Sequence, residues 1–178
     1  MIETVKSKIC EVKDFPKPGI GFKDITPVVQ DADCFKYTIN QMTTWARKKK
    51  PQIIAGIESR GFLFAAPVAH RLGLGLTIIR KKGKLPRRTV SVRAPNEYAV
   101  EQFEMHADGV EPGQRVLIID DLIATGSSSI SAIDLLKKLG GKPLGFAALV
   151  ELVFLKGVEN IKQAHPGVEI FTLIKFEE

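Results

Sequence analysis

The sequence contains few of the cysteine and histidine residues that stabilise small or secreted proteins through disulfides or bound metal ions. Its only two cysteines, Cys10 and Cys34, stand in neither a CxxC nor a metal-type spacing, so neither a disulfide framework nor a cysteine zinc site is expected. Its three histidines, His70, His106 and His165, are scattered along the chain, which argues against a histidine metal site. We therefore expect two reduced cysteines without a chemical role and no metal bound by protein side chains.

Long apolar runs are also missing. No stretch approaches the roughly 18 apolar residues that a membrane-spanning helix needs. Residues 1–12 mix Glu and Lys with single apolar residues, unlike a signal peptide. A chain of 178 residues that is 44% hydrophobic and 26% charged is typical of a globular protein. We expect a soluble, cytoplasmic protein that folds as a single domain over residues 1–178 and has no membrane partner.

The charge is biased to the basic side, with a formal net charge of +6. Lys48, Lys49 and Lys50 end a helical pattern just before Pro51, where cations favour the negative end of the helix dipole. A second basic run lies in a segment with turn residues: Arg80, Lys81, Lys82, Lys84, Arg87 and Arg88. Such a loop can bind a polyanion, either nucleic acid or a polyphosphate, and it is equally compatible with a solvated loop.

Short apolar runs alternate with helical patterns along the chain. Strands are predicted at residues 53–57, 76–79, 116–120, 144–151 and 168–174, and helices at 62–72 and 127–139. A further helix is predicted to open at Asp33, with a buried stripe of Phe35, Ile39, Met42 and Trp45. Alternating strands and helices predict right-handed crossovers and an α/β fold with a mostly parallel central sheet flanked by helices.

Two segments do not follow this alternation. Residues 10–31 carry too many Pro and Gly residues for a helix, so we expect irregular structure there. Residues 81–106 are polar and rich in turn residues, which predicts a long loop with room for a hairpin in its second half.

The most informative segment is 118–129, with the sequence Ile-Ile-Asp-Asp-Leu-Ile-Ala-Thr-Gly-Ser-Ser-Ser. Asp120 and Asp121 are predicted to end a buried strand, and a loop of small residues then leads into a helix. Backbone N–H groups and a helix N-terminus at one place form an anion site, to which Thr125, Ser127 and Ser128 add hydroxyl donors. Carboxylates beside it suit a sugar phosphate, because they accept hydrogen bonds from sugar hydroxyls. The alternative is a capped helix start with two solvated Asp residues; Walker and dinucleotide-binding motifs are absent.

This segment closely resembles the phosphoribosyl pyrophosphate (PRPP) motif of type I phosphoribosyltransferases. The resemblance implies that family's fold, with a base-binding hood segment at about residues 1–31 and a flexible hood loop at about 81–106. By the same resemblance, Asp120 and Asp121 hold the ribose 2′ and 3′ hydroxyls. The 5′-phosphate would be cradled by a loop of five residues: Ala124, Thr125, Gly126, Ser127 and Ser128.

Ala124 bears on the choice of base. The 6-oxopurine members of the family usually carry an Asp at this position, which exchanges a proton with purine N7, and Ala cannot do so. The adenine members use a Glu-Tyr pair on the hood loop instead, and Glu97-Tyr98 resembles that pair. The resemblance therefore implies transfer of the phosphoribosyl group from PRPP to adenine, giving AMP, with Glu97 acting through N7.

Two further segments resemble the adenine members. Residues 15–27 match the N-terminal segment, in which Phe22 would stack on adenine while the backbone of Gly21 and Lys23 reads its edge. Residues 58–62, Glu-Ser-Arg-Gly-Phe, match the pyrophosphate loop, where backbone N–H groups at Ser59 and the side chain of Arg60 would meet the leaving group. The family often has a cis peptide before this Ser.

Residues 80–86 match a basic segment that reaches the pyrophosphate partly across a dimer interface, with Lys81, Lys82 and Lys84 as its cations. The resemblance thus implies a homodimer, and Mg²⁺ bound through PRPP. The family's hood commonly reads Ser-Leu-Glu-Tyr-Gly, where this chain has Pro-Asn-Glu-Tyr-Ala at 95–99, and Gly21 stands where a larger apolar residue is usual. Two alternatives remain: the same reaction on another purine base, and a regulator of this fold that binds nucleic acid through its basic loop.

Overall fold

The computed structural model describes residues 1–15, 17–19, 21–93 and 102–178. Its helices are α1 (Ile2–Lys8), α2 (Thr26–Gln30), α3 (Ala32–Lys49), α4 (Gly61–Leu72), α5 (Ser127–Lys138) and α6 (Gly157–Ala164), with a 3-10 turn at Val153–Leu155. Its strands are β1 (Cys10–Val12), β2 (Phe22–Asp24), β3 (Ile53–Ile57), β4 (Gly75–Lys81), β5 (Thr89–Arg93), β6 (Gln102–His106), β7 (Arg115–Ile123), β8 (Lys142–Leu152) and β9 (Glu169–Phe176).

The centre of the fold is a sheet with the strand order β5-β6-β4-β3-β7-β8-β9. β3, β4, β7, β8 and β9 run parallel, whereas β6 runs antiparallel to β4 and β5 antiparallel to β6. Helices α4, α5 and α6 connect successive parallel strands, as crossovers between parallel strands require. The predicted α/β class, with a mostly parallel central sheet flanked by helices, is therefore confirmed.

Alternate residues of the central strands pack into two apolar clusters. Leu117 of β7 belongs to a cluster with Met42 of α3 and Phe64 of α4, whereas its neighbour Ile118 belongs to a cluster with Leu136 of α5. Successive strand residues point to opposite faces, so the two clusters cover the two faces of the sheet. Burial on both faces explains why the β7 sequence is continuously apolar rather than alternating.

Residues 10–31 hold more regular structure than the sequence indicated. β1 and β2 pair antiparallel, and α2 begins at Thr26 with Pro27 in its first turn, where the missing N–H of proline costs nothing. The prediction that this segment forms no helix was therefore wrong for residues 26–30. The start of α3 was also misplaced: Asp31, not Asp33, caps it, since its carboxylate accepts a hydrogen bond from the Cys34 backbone N–H at 2.9 Å.

The segment predicted as a polar loop at 81–106 contains a hairpin. β5 and β6 pair antiparallel, with Thr89 opposite His106 and Arg93 opposite Gln102. Because β4 continues to Lys81, only residues 82–88 connect it to β5. The short helices α1 and α6 were not predicted, since two turns are too few for a clear helical periodicity. None of the helices in the described ranges has both the length and the apolar composition needed to cross a membrane.

Candidate active site

The carboxyl ends of three neighbouring parallel strands, β4, β3 and β7, surround a cavity of about 260 Å³. Ligands of open α/β sheets bind at this edge. The residues that line the cavity come from the carboxyl ends of β3, β4 and β7, from the segments after β3 and β7, from the start of α5 and from β6: Ile57, Glu58, Ser59, Arg60, Lys81, Phe103, Asp120, Asp121, Leu122, Ala124, Thr125, Gly126, Ser127, Ser128 and Ser129. The structure thus brings together the predicted carboxylate pair, the predicted phosphate loop and the predicted pyrophosphate loop.

The two carboxylates lie inside β7 rather than after it. β7 extends to Ile123, which pairs with Glu151 of β8, so the prediction that the strand ends at Asp120 was wrong by three residues. Asp120 and Asp121 are only 7% and 6% exposed. Burial excludes the alternative of two solvated Asp residues beside a helix start, because burying carboxylates is costly unless they serve a ligand or a partner.

Arg60 is the counterion of this pair. Its Nε lies 2.9 Å from Oδ2 of Asp121, and the Asp121 backbone N–H donates to Oδ1 of Asp120 at 2.8 Å. Burial and the neighbouring charge of Asp121 raise the pKa of Asp120 well above its usual range. Burial also raises the pKa of Asp121, while the Arg60 charge opposes that rise. Nη1 of Arg60 is buried and has no hydrogen-bond partner among the described residues.

Residues 124–128 form a tight loop that leads into α5. Gly126 stands at the N-cap position with a φ of +85°, a conformation that favours glycine, and no side chain caps the helix. The first-turn N–H groups of α5 are therefore available to a ligand, next to the hydroxyls of Thr125 and Ser127, which lie 3.1 Å apart. This arrangement has the features of a phosphate site.

Helix α6 packs against the loop of residues 124–128. This contact was not predicted from the sequence. The amide of Asn160 donates to the Thr125 carbonyl oxygen at 3.0 Å. Gly157 lies so close that a Cβ there would overlap the Ala124 carbonyl oxygen and lie 2.7 Å from Cγ2 of Ile123. The only sequence signal is a lone glycine some thirty residues beyond the loop, and contacts between distant segments leave no local pattern.

We predict that Gly157→Ala weakens both the fold and PRPP binding. The added methyl group must push α6 away from the phosphate loop, at a cost of about 1–3 kcal/mol of stability. Thermal unfolding and the KM for PRPP measure the two effects. Gly167→Ala is the matched control, because a Cβ at Gly167 meets no atom within 4 Å. Equal behaviour of the two variants would contradict the supporting role of Gly157.

The predicted pyrophosphate loop follows β3. The Glu58-Ser59 peptide is cis, as the family resemblance led us to expect. Gly61 begins α4 directly against β7: a Cβ there would lie 2.8 Å from Oδ1 and 3.0 Å from Cα of Asp120. Glycine at this position therefore lets the start of α4, and with it Arg60, approach the carboxylate pair.

The residues of the predicted basic segment lie in three different surroundings. Lys81 lines the active-site cavity, as predicted. Arg80 and Lys84 instead meet the buried carboxylate of Glu58, Arg80 through Nε at 3.2 Å and Lys84 through Nζ. These cations hold the pKa of Glu58 below its usual value against the opposing effect of burial. Lys82 lies along a different surface cavity, and the structure does not bring it to the site.

Of the predicted base-binding residues, Phe22 lies beside Arg60, and Gly21 and Lys23 line a separate cavity. The guanidinium carbon of Arg60 stands 4.6 Å from the centre of the Phe22 ring, which links Phe22 to the carboxylate pair. The Lys23 side chain points elsewhere, with Nζ 2.7 Å from Oε2 of Glu11, so only its backbone is available at the strand edge. A cavity of about 410 Å³ adjoins this ribbon and is lined by Glu11, Gly19, Gly21, Lys23, Leu152, Phe154, Leu155 and Glu178. The predicted Glu97 and Tyr98 lie outside the described residues.

A mostly parallel sheet with an anion loop, a buried carboxylate pair and a cis pyrophosphate loop at its carboxyl edge defines the class of type I phosphoribosyltransferases. Residues 29–176 match the family of the phosphoribosyl transferase domain. An adenine phosphoribosyltransferase of Caldicellulosiruptor saccharolyticus is 50% identical over 173 residues, which cover 97% of each chain. The chain therefore belongs to the phosphoribosyltransferase family, among the adenine phosphoribosyltransferases.

Solved structures agree with this assignment. The crystal structure of adenine phosphoribosyltransferase from Thermoanaerobacter pseudethanolicus has a TM-score of 0.91 and 44% identity, covering 99% of this chain and 100% of that one. The Saccharomyces cerevisiae enzyme, complexed with adenine and an imino-altritol bisphosphate, has a TM-score of 0.88 and 32% identity, covering 97% and 98% of the two chains. The resemblance inferred from residues 118–129 is thus confirmed over nearly the whole chain.

Proposed function

We propose that the protein transfers the 5-phosphoribosyl group from PRPP to N9 of adenine, giving AMP and pyrophosphate, as the names of its relatives indicate. The observation that carries the proposal is the buried Asp120-Asp121 pair beside an uncapped helix start. That combination suits a ligand with sugar hydroxyls next to a phosphate. Purine salvage is the corresponding metabolic role.

PRPP would bind across the active-site cavity in one orientation. The 5′-phosphate would take the N–H groups and hydroxyls of residues 124–128, where α5 begins without a side-chain cap. The 2′ and 3′ hydroxyls of the ribose would then reach Asp120 and Asp121. Such hydrogen bonds to two neighbouring carboxyl groups would fix the sugar ring.

The pyrophosphate would lie on the β3 and β4 side of the same cavity. Arg60 is suited to it, because the residue lines this cavity and carries a permanent positive charge. Backbone N–H groups at Ser59 and the ammonium group of Lys81 border the same space. Lys84 reaches it only through Glu58, and Lys82 would need to leave its own surface cavity to take part.

The reaction breaks the bond between ribose C1 and the pyrophosphate oxygen, which keeps the electron pair, while N9 of adenine bonds to C1. The sugar becomes positively charged in the transition state and the leaving group more negative. The carboxylates of Asp120 and Asp121 stabilise the first charge, and Arg60 and Lys81 the second. Catalysis therefore depends mainly on positioning and on electrostatic stabilisation.

Magnesium is the implied metal, and the residues present fit an ion held by the substrate. The described residues contain no cluster of three or more His, Cys, Asp or Glu side chains, and Asp121 is already paired with Arg60. Mg²⁺ would therefore coordinate chiefly oxygens of PRPP, and it would neutralise charge on the departing pyrophosphate.

Adenine would bind at β2, with Phe22 against its ring and the backbone of Gly21 and Lys23 at its edge. Ala124 offers no carboxylate at the position that serves 6-oxopurines in the family. A proton must leave the purine for the reaction to balance, and Glu97 is proposed to act through N7. Tyr98 would accompany it on the same loop.

We predict that adenine is the preferred base. A panel of adenine, hypoxanthine and guanine, assayed with PRPP and Mg²⁺, should give the highest kcat/KM for adenine, because Ala124 cannot accept the proton that a 6-oxopurine must lose. Product detection by chromatography makes the comparison direct. Equal or better turnover of a 6-oxopurine would favour the alternative of another purine substrate.

The remaining parts of the proposal concern assembly and location. A homodimer is proposed from the family resemblance of the basic segment, in line with exposed apolar side chains at Leu63 of α4 and Leu76 of β4. A cytoplasmic location suits the two unpaired cysteines, of which Cys10 is exposed. Light scattering on the purified protein tests the first of these.

A further inference from the structure

Glu104 of β6 is a buried carboxylate that does not line the active-site cavity. The residue is only 4% exposed. Its Oε1 accepts hydrogen bonds from three consecutive backbone N–H groups, those of Gly83, Lys84 and Leu85, at 2.9, 3.1 and 3.1 Å. Three consecutive donors can meet at one oxygen only if the backbone turns tightly, and Gly83 permits this with a φ of +90°.

The turn held in this way lies next to the cations of the pyrophosphate side. Lys81 lies two residues before it and lines the cavity, and Lys84 lies within it and pairs with Glu58. Glu104 stands opposite Arg80 of β4 and Ser91 of β5 in the antiparallel part of the sheet, so it is fixed on a rigid strand. Glu58 thus holds the Lys84 side chain and the Lys81 backbone N–H, and Glu104 holds the backbone of residues 83–85.

We propose that Glu104 is a positioning residue for the pyrophosphate group: its carboxylate fixes the backbone of residues 83–85, and thereby keeps Lys81 at the pyrophosphate side of the cavity and Lys84 at Glu58. The inference rests on the proposed function. A lysine ammonium on a flexible four-carbon stem binds a polyanion well only when its backbone is held in place, because ordering the chain costs conformational entropy.

Two substitutions of Glu104 distinguish the loss of the hydrogen-bond acceptor from the loss of the negative charge. Glu104→Met keeps the length of the side chain and removes the acceptor that the three N–H groups share. We expect it to raise the KM for PRPP and the inhibition constant of pyrophosphate by about 10-fold to 100-fold, since hydrogen bonds to a charged group are among the strong ones. Glu104→Gln keeps a neutral acceptor and should lie between Met and the native residue. The KM for adenine should stay within about twofold, because no base contact is altered.

Hydrogen exchange gives a readout that does not depend on turnover. In Glu104→Met, the amides of Gly83, Lys84 and Leu85 should lose protection, while those of β7 keep it. Asp108→Asn is the matched control: it also removes a carboxylate near the basic segment, but Asp108 is 67% exposed in its side chain and pairs only with the exposed Arg87. We expect native values for that variant.

Gly83→Ala tests the same turn without touching Glu104. A Cβ at Gly83 meets no atom within 4 Å, so the variant should fold, but the φ of +90° is strained for alanine. It should raise the KM for PRPP in the same direction as Glu104→Met. Gly113→Ala, with a φ of +79° and equally open space, carries similar strain far from the basic turn and should leave that KM unchanged. Comparing Gly83→Ala with Gly113→Ala tests the role of the turn even if Glu104→Met does not fold.

The measurements distinguish a positioning role of Glu104 from a role in the fold only. A lower Tm with unchanged KM for PRPP, or an equal change in the KM values of PRPP and adenine, would overturn the proposal and leave Glu104 as a residue of the fold only. If the unaltered protein formed no AMP, the proposed function would fail separately. Calorimetric binding of pyrophosphate with Mg²⁺ to the unaltered protein and to the Glu104 variants would still decide the positioning role.

Discussion

Replacing Asp121 with asparagine should lower kcat/KM for PRPP by about 10²-fold or more, because a misplaced ribose and a lost carboxylate charge both raise the barrier. The change removes one of the two groups proposed to hold the sugar, and it leaves Arg60 without the ion pair that aims it. The Tm should stay within a few degrees of the native value. Loss of the Arg60 pair costs stability, but relief of the repulsion between Asp121 and the buried Asp120 offsets part of that cost.

The expected split between activity and stability distinguishes a ligand site from a structural one. Differential scanning calorimetry and steady-state kinetics on the same preparations measure both quantities. Asp134→Asn is a suitable control, since Asp134 is a half-exposed carboxylate on α5 that pairs with His165 away from the cavity. A large drop in the Tm of Asp121→Asn with activity retained would mean that the pair serves the fold and not the ribose.

The carboxylate pair and the phosphate loop could be predicted because they follow one another in the chain. Residues 120–128 carry both functional groups, so their order alone indicates a sugar-phosphate site. Their support could not be predicted, because Gly157 and Asn160 reach the loop from a helix about thirty residues later. Burial of Asp120 and Asp121 was also not visible in the sequence, since it depends on the approach of Gly61 at the start of α4.

The basic segment shows that neighbouring residues of the same type need not face the same ligand. Lys81, Lys82 and Lys84 were predicted to act together on the pyrophosphate, but neighbouring residues of an extended chain point to opposite sides. Lys81 therefore lines the cavity while Lys82 lies along another one, and Lys84 turns to Glu58. Residue type alone indicated a polyanion as one possible ligand class, whereas which lysine lines the cavity depends on the strand register.

Some predicted ends of helices and strands were wrong for a similar reason. The existence of β3, β4, β7, β8 and β9 followed from short apolar runs between helical patterns, and that alternation was enough for the fold class. The end of β7 was misplaced because Leu122 and Ile123 remain in the sheet through pairing with Val150 and Glu151 of β8. Pairing partners thirty residues away decide where a strand ends, and no local sequence pattern records them.

Glu97→Gln should lower kcat by about 10²-fold to 10⁴-fold, the usual range for loss of a general acid or base. That range corresponds to about 3–5 kcal/mol of transition-state free energy. The KM for PRPP should barely change, because the ribose and phosphate contacts lie on other segments, at Asp120, Asp121 and residues 124–128. Single-turnover kinetics with adenine measure the chemical step directly, without the contribution of product release.

The size of the KM change decides between two roles for Glu97. If the carboxylate only helps to order the segment at 94–101, the fall in kcat should be smaller and the KM for PRPP should rise with it, because closing that segment would then contribute to binding. Glu101→Gln removes the same charge four positions later and controls for electrostatic effects on this highly charged substrate. A kcat that Glu97→Gln leaves unchanged would exclude both roles. The proton at N7 would then have to leave through solvent or another group, because Ala124, at the family's alternative position, cannot accept it.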